Sequence, residues 1–290
     1  MPCRLPVEVS GSPPSVGWLD FPAGKFASDP TSTVAMSKYG YVAWDSALGQ
    51  WLPTRPGMIS PDGTRYIPED APNQIVDSHT GAVLVTFPSG NYNWVIGWTS
   101  AGIYETHSGK DFLPGLWRID PSSGTVTNLT PTAEVIWEIV DNDAVWGFEW
   151  SPTNVRIIDR LDLATASIKH VYTAPTVNDI PDAVAFVGSG VLVLSGDESG
   201  VASTYVLGQD GSTSPIALPS QMLAPGESIR TVQDGPATLF YGQLTGGLPG
   251  APPAHDWWAA YDPSYGMQVL FESPQPQGDL LFLLGDCVPT

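Results

Sequence analysis

The sequence predicts an all-β protein built from repeated four-stranded antiparallel sheets. A short turn phrase recurs about every 43 residues through the middle of the chain. The segments between these turns are short, rich in Val, Ile, Tyr, Trp and Thr, and bounded by Gly, Pro, Asn or Asp. No window shows the sustained period of a helix. Four strands in a repeat of this length are typical of a β-propeller blade.

The repeated phrase is Asp-x-x-x-Gly followed by an apolar strand that ends in proline. Because aspartate can accept hydrogen bonds from the backbone just ahead of it, and glycine adopts positive φ, each copy predicts a hairpin turn. Clear copies begin at Asp45, Asp77, Asp120 and Asp262. Two degenerate copies begin at Asp162, where Ala166 replaces the glycine, and at Gly208, where the phrase is one residue short.

The turns divide a single domain, residues 1–290, into six predicted blades of four strands. Residues 91–131 show the layout most fully, with two strands before a loop at 107–114 and two after it. The N-terminal segment is one strand short, and the apolar strand at 279–284 is predicted to complete that blade and close the ring. The predicted blades are 16–53 with 279–287, 57–88, 91–131, 133–175, 180–219 and 225–274.

The charge of the chain limits its partners. Thirty Asp and Glu against eleven Lys and Arg give a net charge of −19, which repels phosphate backbones and anionic membranes. There is also no apolar run of about 18 residues, so neither nucleic acid binding nor membrane insertion is expected. Cations, neutral polymers and basic protein surfaces remain open, as does a charge that serves only solubility. We expect a monomer.

The two cysteines, Cys3 and Cys287, lie near opposite ends of the chain. Because the termini of a closed ring meet, we expect a disulfide between them, with two unrelated free thiols as the alternative. A disulfide would indicate an oxidising compartment, and therefore a secreted or extracytoplasmic protein.

Two phrases resemble those of TolB-like and other WD-related propellers. Ser60-Pro-Asp-Gly-Thr-Arg-Tyr66 resembles their Ser-Pro-Asp-Gly turn, and Leu116-Trp-Arg-Ile-Asp-Pro-Ser-Ser-Gly124 resembles their third-strand hairpin. The whole chain is also similar to uncharacterised exported bacterial propellers that begin with a cysteine segment and end in Gly-x-Cys-Val. These motifs are structural turns, so the resemblance implies a fold and transfers no catalytic residue. TolB is a periplasmic partner-binding protein, while other such propellers bind glycans or act as lyases and hydrolases.

Polar and aromatic residues collect on one predicted face. The loops between the second and third strands of each blade, and those between blades, lie together on what we call the top face. The candidates for catalysis there are Glu69, Glu105, His107, Glu149, Asp197 and His255. The candidates for ligand binding are His107, Lys110, Asp111, Glu149, Trp150, His255, Asp256 and Trp257.

A ring of such carboxylates has several uses. It could bind Ca²⁺, the one cofactor that the sequence suggests. It could supply the acid and base of glycoside hydrolysis, or attract a basic partner. It could equally consist of solvated loop acids without a function. His107 and His255 could add a metal ligand or a proton-transfer group, whereas His79 and His170 are expected to be surface residues.

These observations predict an exported binding module whose top face and central channel bind a glycan or a protein partner. The alternative is a polysaccharide lyase or glycoside hydrolase that uses two of the acids Glu69, Glu105, Glu149 and Asp197 together with a histidine. A third interpretation is a purely structural component of a surface assembly.

Overall fold

The computed structural model describes residues 3–9, 14–21, 23–88, 93–107, 115–131, 134–197, 200–217, 227–234, 237–244, 255–262, 266–274, 281–285 and 287–289. Almost all regular structure in these ranges is antiparallel strand. The described helical structure is short, and no helix in these ranges is long and apolar enough to cross a membrane.

The described elements, in chain order, are β1 (Cys3–Val9), β2 (Ser15–Phe21), β3 (Lys25–Ser28), α1 (Pro30–Ala35), β4 (Ala43–Asp45), β5 (Gln50–Leu52), β6 (Arg65–Tyr66), β7 (Gln74–Asp77), β8 (Val83–Thr86), β9 (Asn93–Thr99), β10 (Gly102–His107), β11 (Leu116–Ile119), β12 (Val126–Asn128), β13 (Ile136–Val140), β14 (Ala144–Trp150), β15 (Arg156–Asp162), β16 (Ser167–Thr173), β17 (Ile180–Val187), β18 (Gly190–Asp197), β19 (Gly200–Leu207), β20 (Thr213–Ile216), β21 (Glu227–Asp234), β22 (Ala237–Leu244), β23 (His255–Asp262), β24 (Gly266–Pro274), β25 (Leu281–Leu283) and β26 (Val288–Pro289).

The strands form two compact units, unit 1 from Met1–Thr33 with Asn178–Thr290 and unit 2 from Val34–Val177. Unit 1 contains a sheet in the order β25-β1-β2-β3, with β26 also paired to β1, and two meanders, β17-β18-β19-β20 and β21-β22-β23-β24. Apolar side chains of the two meanders pack together, with Leu192 and Leu194 against Ala259 and Tyr261. Burial of these faces holds the two meanders together.

The ends of the chain meet in the first sheet of unit 1. β25 pairs with β1 through Val7 and Leu283, so the apolar C-terminal strand lies beside the N-terminal segment. The structure contains the expected disulfide between Cys3 and Cys287, whose Cα atoms are 5.7 Å apart. The bond joins β1 to the segment just before β26 and so fixes both ends of the chain in one sheet.

Unit 2 contains the two-stranded sheet β4-β5, the three-stranded sheet β6-β7-β8, and two four-stranded sheets, β9 to β12 and β13 to β16. The two four-stranded sheets pack against each other through Tyr104 and Leu116 on one side and Trp137, Val145 and Leu161 on the other. All five side chains are at most 1% exposed. This packed face of the β13–β16 sheet also carries the candidate site described below.

The fold is all-β and of the propeller type, but the number of blades differs from the prediction. Within the described ranges, five sheets have four or more strands, so the prediction of six four-stranded blades is wrong. Residues 57–88 form only the three strands β6, β7 and β8, because this segment is about ten residues shorter than the repeat and begins with a turn in which the Gly63 amide donates to the Ser60 carbonyl oxygen. The N-terminal sheet begins at Cys3 rather than at residue 16, and β4 and β5 pair with each other instead of joining it.

The hairpin turns follow the repeated phrase. The Gly124 amide donates to the Asp120 carbonyl oxygen at 2.8 Å, and Gly124 has a φ of 71°. The turns that start at Asp45 and Asp77 close in the same way. In the degenerate copy that begins at Asp162, Ala166 itself adopts a φ of 55°. This left-handed conformation is unfavourable for any residue that has a Cβ atom. The turn prediction is therefore confirmed for the described copies, while residues 263–265 of the copy at Asp262 lie outside the described residues. Ala166 is a strained position.

Substitution of Ala166 by glycine is expected to stabilise unit 2. Relief of the left-handed strain outweighs the added chain entropy, so the free energy of unfolding should rise by about 0.5–1 kcal/mol in urea denaturation. Ala164→Gly is the matched control, because Ala164 is exposed in the same turn without a positive φ. Equal destabilisation by both substitutions would contradict the strain at position 166.

The turn aspartates are also expected to respond to acid. The Ser122 hydroxyl donates to the Asp120 carboxylate at 2.6 Å, and this bond, with two backbone amides, lowers the pKa of Asp120 to about 2. The resulting stabilisation is complete above the usual pKa of about 4 and is lost as the pH falls through about 2. We expect Ser122→Ala to raise the pKa of Asp120 in a carboxyl ¹³C NMR titration. The control Ser123→Ala should change it less, because the Ser123 hydroxyl donates to Thr125.

Candidate functional site

Three polar side chains from neighbouring strands meet on one face of the β13–β16 sheet. Glu149 comes from β14, Asp159 from β15 and His170 from β16. The Nδ1 atom of His170 is hydrogen-bonded to Oδ1 of Asp159 and lies 3.9 Å from Oε1 of Glu149. One nitrogen or oxygen atom from each residue lies within 4.8 Å of the others. The cluster therefore has the composition and size of a small cation site.

A β-bulge in β16 brings His170 into this cluster. Ile158 pairs with Tyr172, and the next residue, Asp159, pairs with His170, so Val171 is an extra residue in the ladder. In a regular strand His170 and Tyr172 would point to the same face. The bulge turns His170 onto the face that carries Asp159.

Glycine at position 147 shapes the other side of the cluster. Gly147 lies opposite Asp159, and Glu149, two residues further along β14, shares its face. A Cβ atom at position 147 would lie 2.3 Å from the Ile136 carbonyl oxygen, so β13 approaches too closely for any other residue. On the face of β14 that carries Gly147, Glu149 is therefore the next residue with a side chain, and it lies on the same face as Asp159.

The three side chains of the cluster differ in their exposure, because Asp159 is buried while Glu149 and His170 reach solvent. The side chain of Asp159 is 0% exposed, that of Glu149 is 26% and that of His170 is 65% exposed. Burial, and to a smaller extent the charge of Glu149, raises the pKa of Asp159 to about 6, although the hydrogen bond from His170 opposes the shift. Its second oxygen, Oδ2, is buried and has no hydrogen-bond partner among the described residues. This arrangement can hold a cation or share a proton.

The opposite face of the same sheet carries an aromatic patch, which we define as Phe148, Trp150 and Arg156. The Arg156 guanidinium carbon lies 3.4 Å from the ring centroid of Phe148 and 5.2 Å from that of Trp150. The two rings meet edge to face at 6.1 Å. Trp150 is 48% exposed while Arg156 is buried. The patch is thus an exposed indole held by a buried cation and a second ring.

A short, ordered turn supports this patch. Residues 151–155 join β14 to β15, and the Ser151 hydroxyl accepts hydrogen bonds from the amides of Thr153 and Val155. Asn154 has a φ of 60°, which asparagine tolerates better than most residues. Trp150 and Arg156 flank the turn as a directly opposed pair.

Two of the predicted acids, Glu69 and Glu105, lie in environments formed by neighbouring side chains of the fold. Glu69 accepts a hydrogen bond from Arg55 at 2.6 Å, and the Arg55 guanidinium stacks over Tyr41. Glu105 lies inside β10, 2% exposed, with Trp117 and Val95 as its cross-strand neighbours. Glu105 is therefore buried rather than solvent-facing, and Glu69 is held by an ion pair. Among the described residues only Glu149 of the predicted acids belongs to a cluster with other potential ligands.

Several predicted residues lie outside the described part of the chain. Lys110 and Asp111 are not described, and for others only the strand backbone is described. The second group comprises His107, Asp197, His255, Asp256 and Trp257. Their backbone placement still differs from the expectation in one respect, since His255 begins β23 and the residues up to Trp257 continue that strand instead of a loop.

Asp159 and His170 were not among the predicted site residues. His170 was expected to be a plain surface residue, and it is exposed, but its ring also contacts a buried carboxylate. A signal was present for Asp159, which occupies the inward-facing position between Ile157 and Leu161 in an otherwise apolar alternation. A buried aspartate at such a position calls for a partner.

Comparisons with known proteins agree with the architecture. The sequence matches no protein-family model and no protein with a curated description. The solved structure of a putative TolB from Agrobacterium tumefaciens is similar over 99% of both chains, with a TM-score of 0.55 and 12% identity. A structure in the nidogen/laminin complex is similar over 97% of this chain and 99% of its own, with a TM-score of 0.51 and 12% identity. At these identities the likeness shows a TolB-like propeller fold.

The Arg55–Glu69 pair provides a test of the structural environment of Glu69. We expect Glu69→Gln and Arg55→Gln each to lower the free energy of unfolding by about 0.5–1.5 kcal/mol, because the ion pair is partly buried and hydrogen-bonded. A double-mutant cycle in urea denaturation should show that the two effects are coupled. Additive effects would mean that Glu69 does not depend on Arg55.

Proposed function

We propose that the protein is an extracytoplasmic module that binds a protein partner through the aromatic patch of Phe148, Trp150 and Arg156. The observation that carries this proposal is the exposure of Trp150 while its indole is held by Arg156 and Phe148. A large apolar side chain fixed at the surface binds with little loss of conformational entropy. Tryptophan and arginine are also the residues most enriched at the energetic centres of protein interfaces.

The charge of the chain indicates the chemistry of the partner. A net charge of −19 favours a neutral or basic protein surface and disfavours an acidic one. Two findings support a protein over a glycan as partner. One of the similar folds was solved as part of the nidogen/laminin complex. Arg156 occupies one side of the Trp150 ring, which leaves less of the indole for stacking on a sugar.

The disulfide supports a location outside the cytoplasm. Structural disulfides persist in oxidising compartments, and Cys3–Cys287 joins the two ends of the chain. The partner would therefore be sought among exported or surface proteins.

The enzyme hypothesis receives less support. Hydrolysis of a glycosidic bond needs two carboxyl groups that both reach the substrate. Among the predicted acids whose side chains are described, Glu69 is paired with Arg55, Glu105 is buried, and the carboxylate that lies near Glu149 belongs to the fully buried Asp159. The side chain of Asp197, the fourth predicted acid, lies outside the described residues. We therefore propose binding rather than glycoside cleavage.

Cross-linking from the patch tests the proposal. A photoreactive phenylalanine in place of Thr153, which is exposed in the turn next to Trp150, should cross-link to a protein in an extracytoplasmic extract, whereas the same group at Tyr39, an exposed aromatic residue of the same unit, should not. With the partner in hand, Trp150→Ala should weaken binding by about 2 kcal/mol, or roughly thirtyfold. Tyr39→Ala should leave the affinity unchanged.

Two results would contradict the proposal. One is equal affinity of wild type and Trp150→Ala for the partner. The other is binding to immobilised glycans that depends on Trp150 in the absence of any protein cross-link. Circular dichroism spectra matching those of wild type would show that the variants are folded.

A further inference from the structure

We propose that Glu149, Asp159 and His170 bind a divalent first-row transition-metal ion, with Zn²⁺ as the representative. The inference is independent of the proposed function, because neighbouring residues of β14 point to opposite faces and the cluster therefore lies across the sheet from Trp150.

The unsatisfied carboxylate of Asp159 distinguishes this cluster from ordinary surface acids. The side chain is 0% exposed, one oxygen contacts His170, and the other is buried with no hydrogen-bond partner in the described part of the chain. A second carboxylate, Glu149, approaches the same imidazole. Burying an underpaired charge is costly, and buried charges in proteins are usually paired or coordinate a metal. A divalent cation between the three side chains would compensate both carboxylates.

The mixed donor set selects the class of ion. Ca²⁺ takes six to eight oxygen ligands and Mg²⁺ retains most of its water, whereas imidazole nitrogen suits Zn²⁺, Cu²⁺, Fe²⁺ and Ni²⁺. One nitrogen and two carboxylates therefore favour a first-row transition metal over the Ca²⁺ that an acidic ring alone would suggest.

The distances require only side-chain adjustments. Ligand atoms around a four-coordinate zinc lie ~3.3 Å apart when the metal–ligand bonds are about 2.0–2.1 Å. The separation of His170 Nδ1 from Glu149 Oε1 is 3.9 Å, while the hydrogen-bonded His170–Asp159 pair is closer and must open. His170 is largely exposed and Glu149 partly so, which leaves both free to move. Three protein ligands would leave a coordination position for water.

Metal binding by the untagged, intact protein tests the inference directly. After treatment with a chelator and dialysis, the protein is titrated with Zn²⁺ by calorimetry and with Co²⁺ by visible spectroscopy. We expect one Zn²⁺ per chain, a Co²⁺ spectrum that Zn²⁺ abolishes, and no competition from Ca²⁺ in excess.

Matched variants locate the site. Glu149→Gln, Asp159→Asn and His170→Asn should each weaken Zn²⁺ binding by at least about tenfold, since even residues that only support a ligand change affinity by that factor. The controls His79→Asn and Glu134→Gln change exposed residues of the same unit and should bind as wild type does. If Asp159→Asn does not fold, His170→Asn still decides the matter, because the His170 side chain is mostly exposed.

The proposal would be overturned if wild type binds no Zn²⁺ or Co²⁺, or if Ca²⁺ displaces Zn²⁺. It would also be overturned if His170→Asn binds Zn²⁺ as tightly as wild type, or if His79→Asn abolishes binding.

Discussion

The site in unit 2 depends on one constraint, the burial of the Asp159 carboxylate in the middle of a β-sheet. The position lies on the same face as Val145 and Leu161, which pack against the β9–β12 sheet, so the charge sits beside an apolar core. Among the described residues only one of its oxygens has a hydrogen-bond partner, His170, which comes from a strand with an extra residue in its ladder. A fold does not gain stability from such an arrangement. Strained or underpaired groups concentrate at functional sites. A functional role therefore explains the buried Asp159 better than a contribution to stability does.

Much of the architecture follows from local chemistry and was therefore accessible to sequence reasoning. Asp120 and Gly124 specify their turn through hydrogen bonds and a positive φ that involve only nearby residues. The expectation that the chain ends meet led to the Cys3–Cys287 pair. The blade count was less accessible, because residues 57–88 carry the turn phrase and the Ser60-Pro-Asp-Gly63 motif yet form only three strands. A turn signal shows where the chain reverses, not how many strands pair.

The candidate site shows the same division between local and long-range information. Glu149 and Trp150 could be selected from sequence because both lie at the end of an apolar strand next to a turn. Sequence reasoning could not place Asp159 and His170 beside Glu149. Strict alternation would put His170 on the face of Tyr172, which is opposite to the face of Asp159 and Glu149. The bulge at Val171 instead puts His170 and Tyr172 on opposite faces. No glycine, proline or other turn residue beside Val171 predicts the bulge from the sequence. The partner of Glu69 was equally inaccessible to sequence reasoning, since Arg55 lies in a separate segment of the chain.

The protein thus presents two different surfaces on one sheet, an aromatic patch on one face and a charged cluster on the other. Both depend on the register of β14, β15 and β16, and the contact between His170 and Asp159 reports that register most directly. In metal-free protein, ¹⁵N NMR of the imidazole should show a proton on Nδ1 shared with a carboxylate, and this signature should disappear in Asp159→Asn. A His170 ring protonated only on Nε2, with a spectrum unaffected by Asp159→Asn, would contradict the register and with it the site.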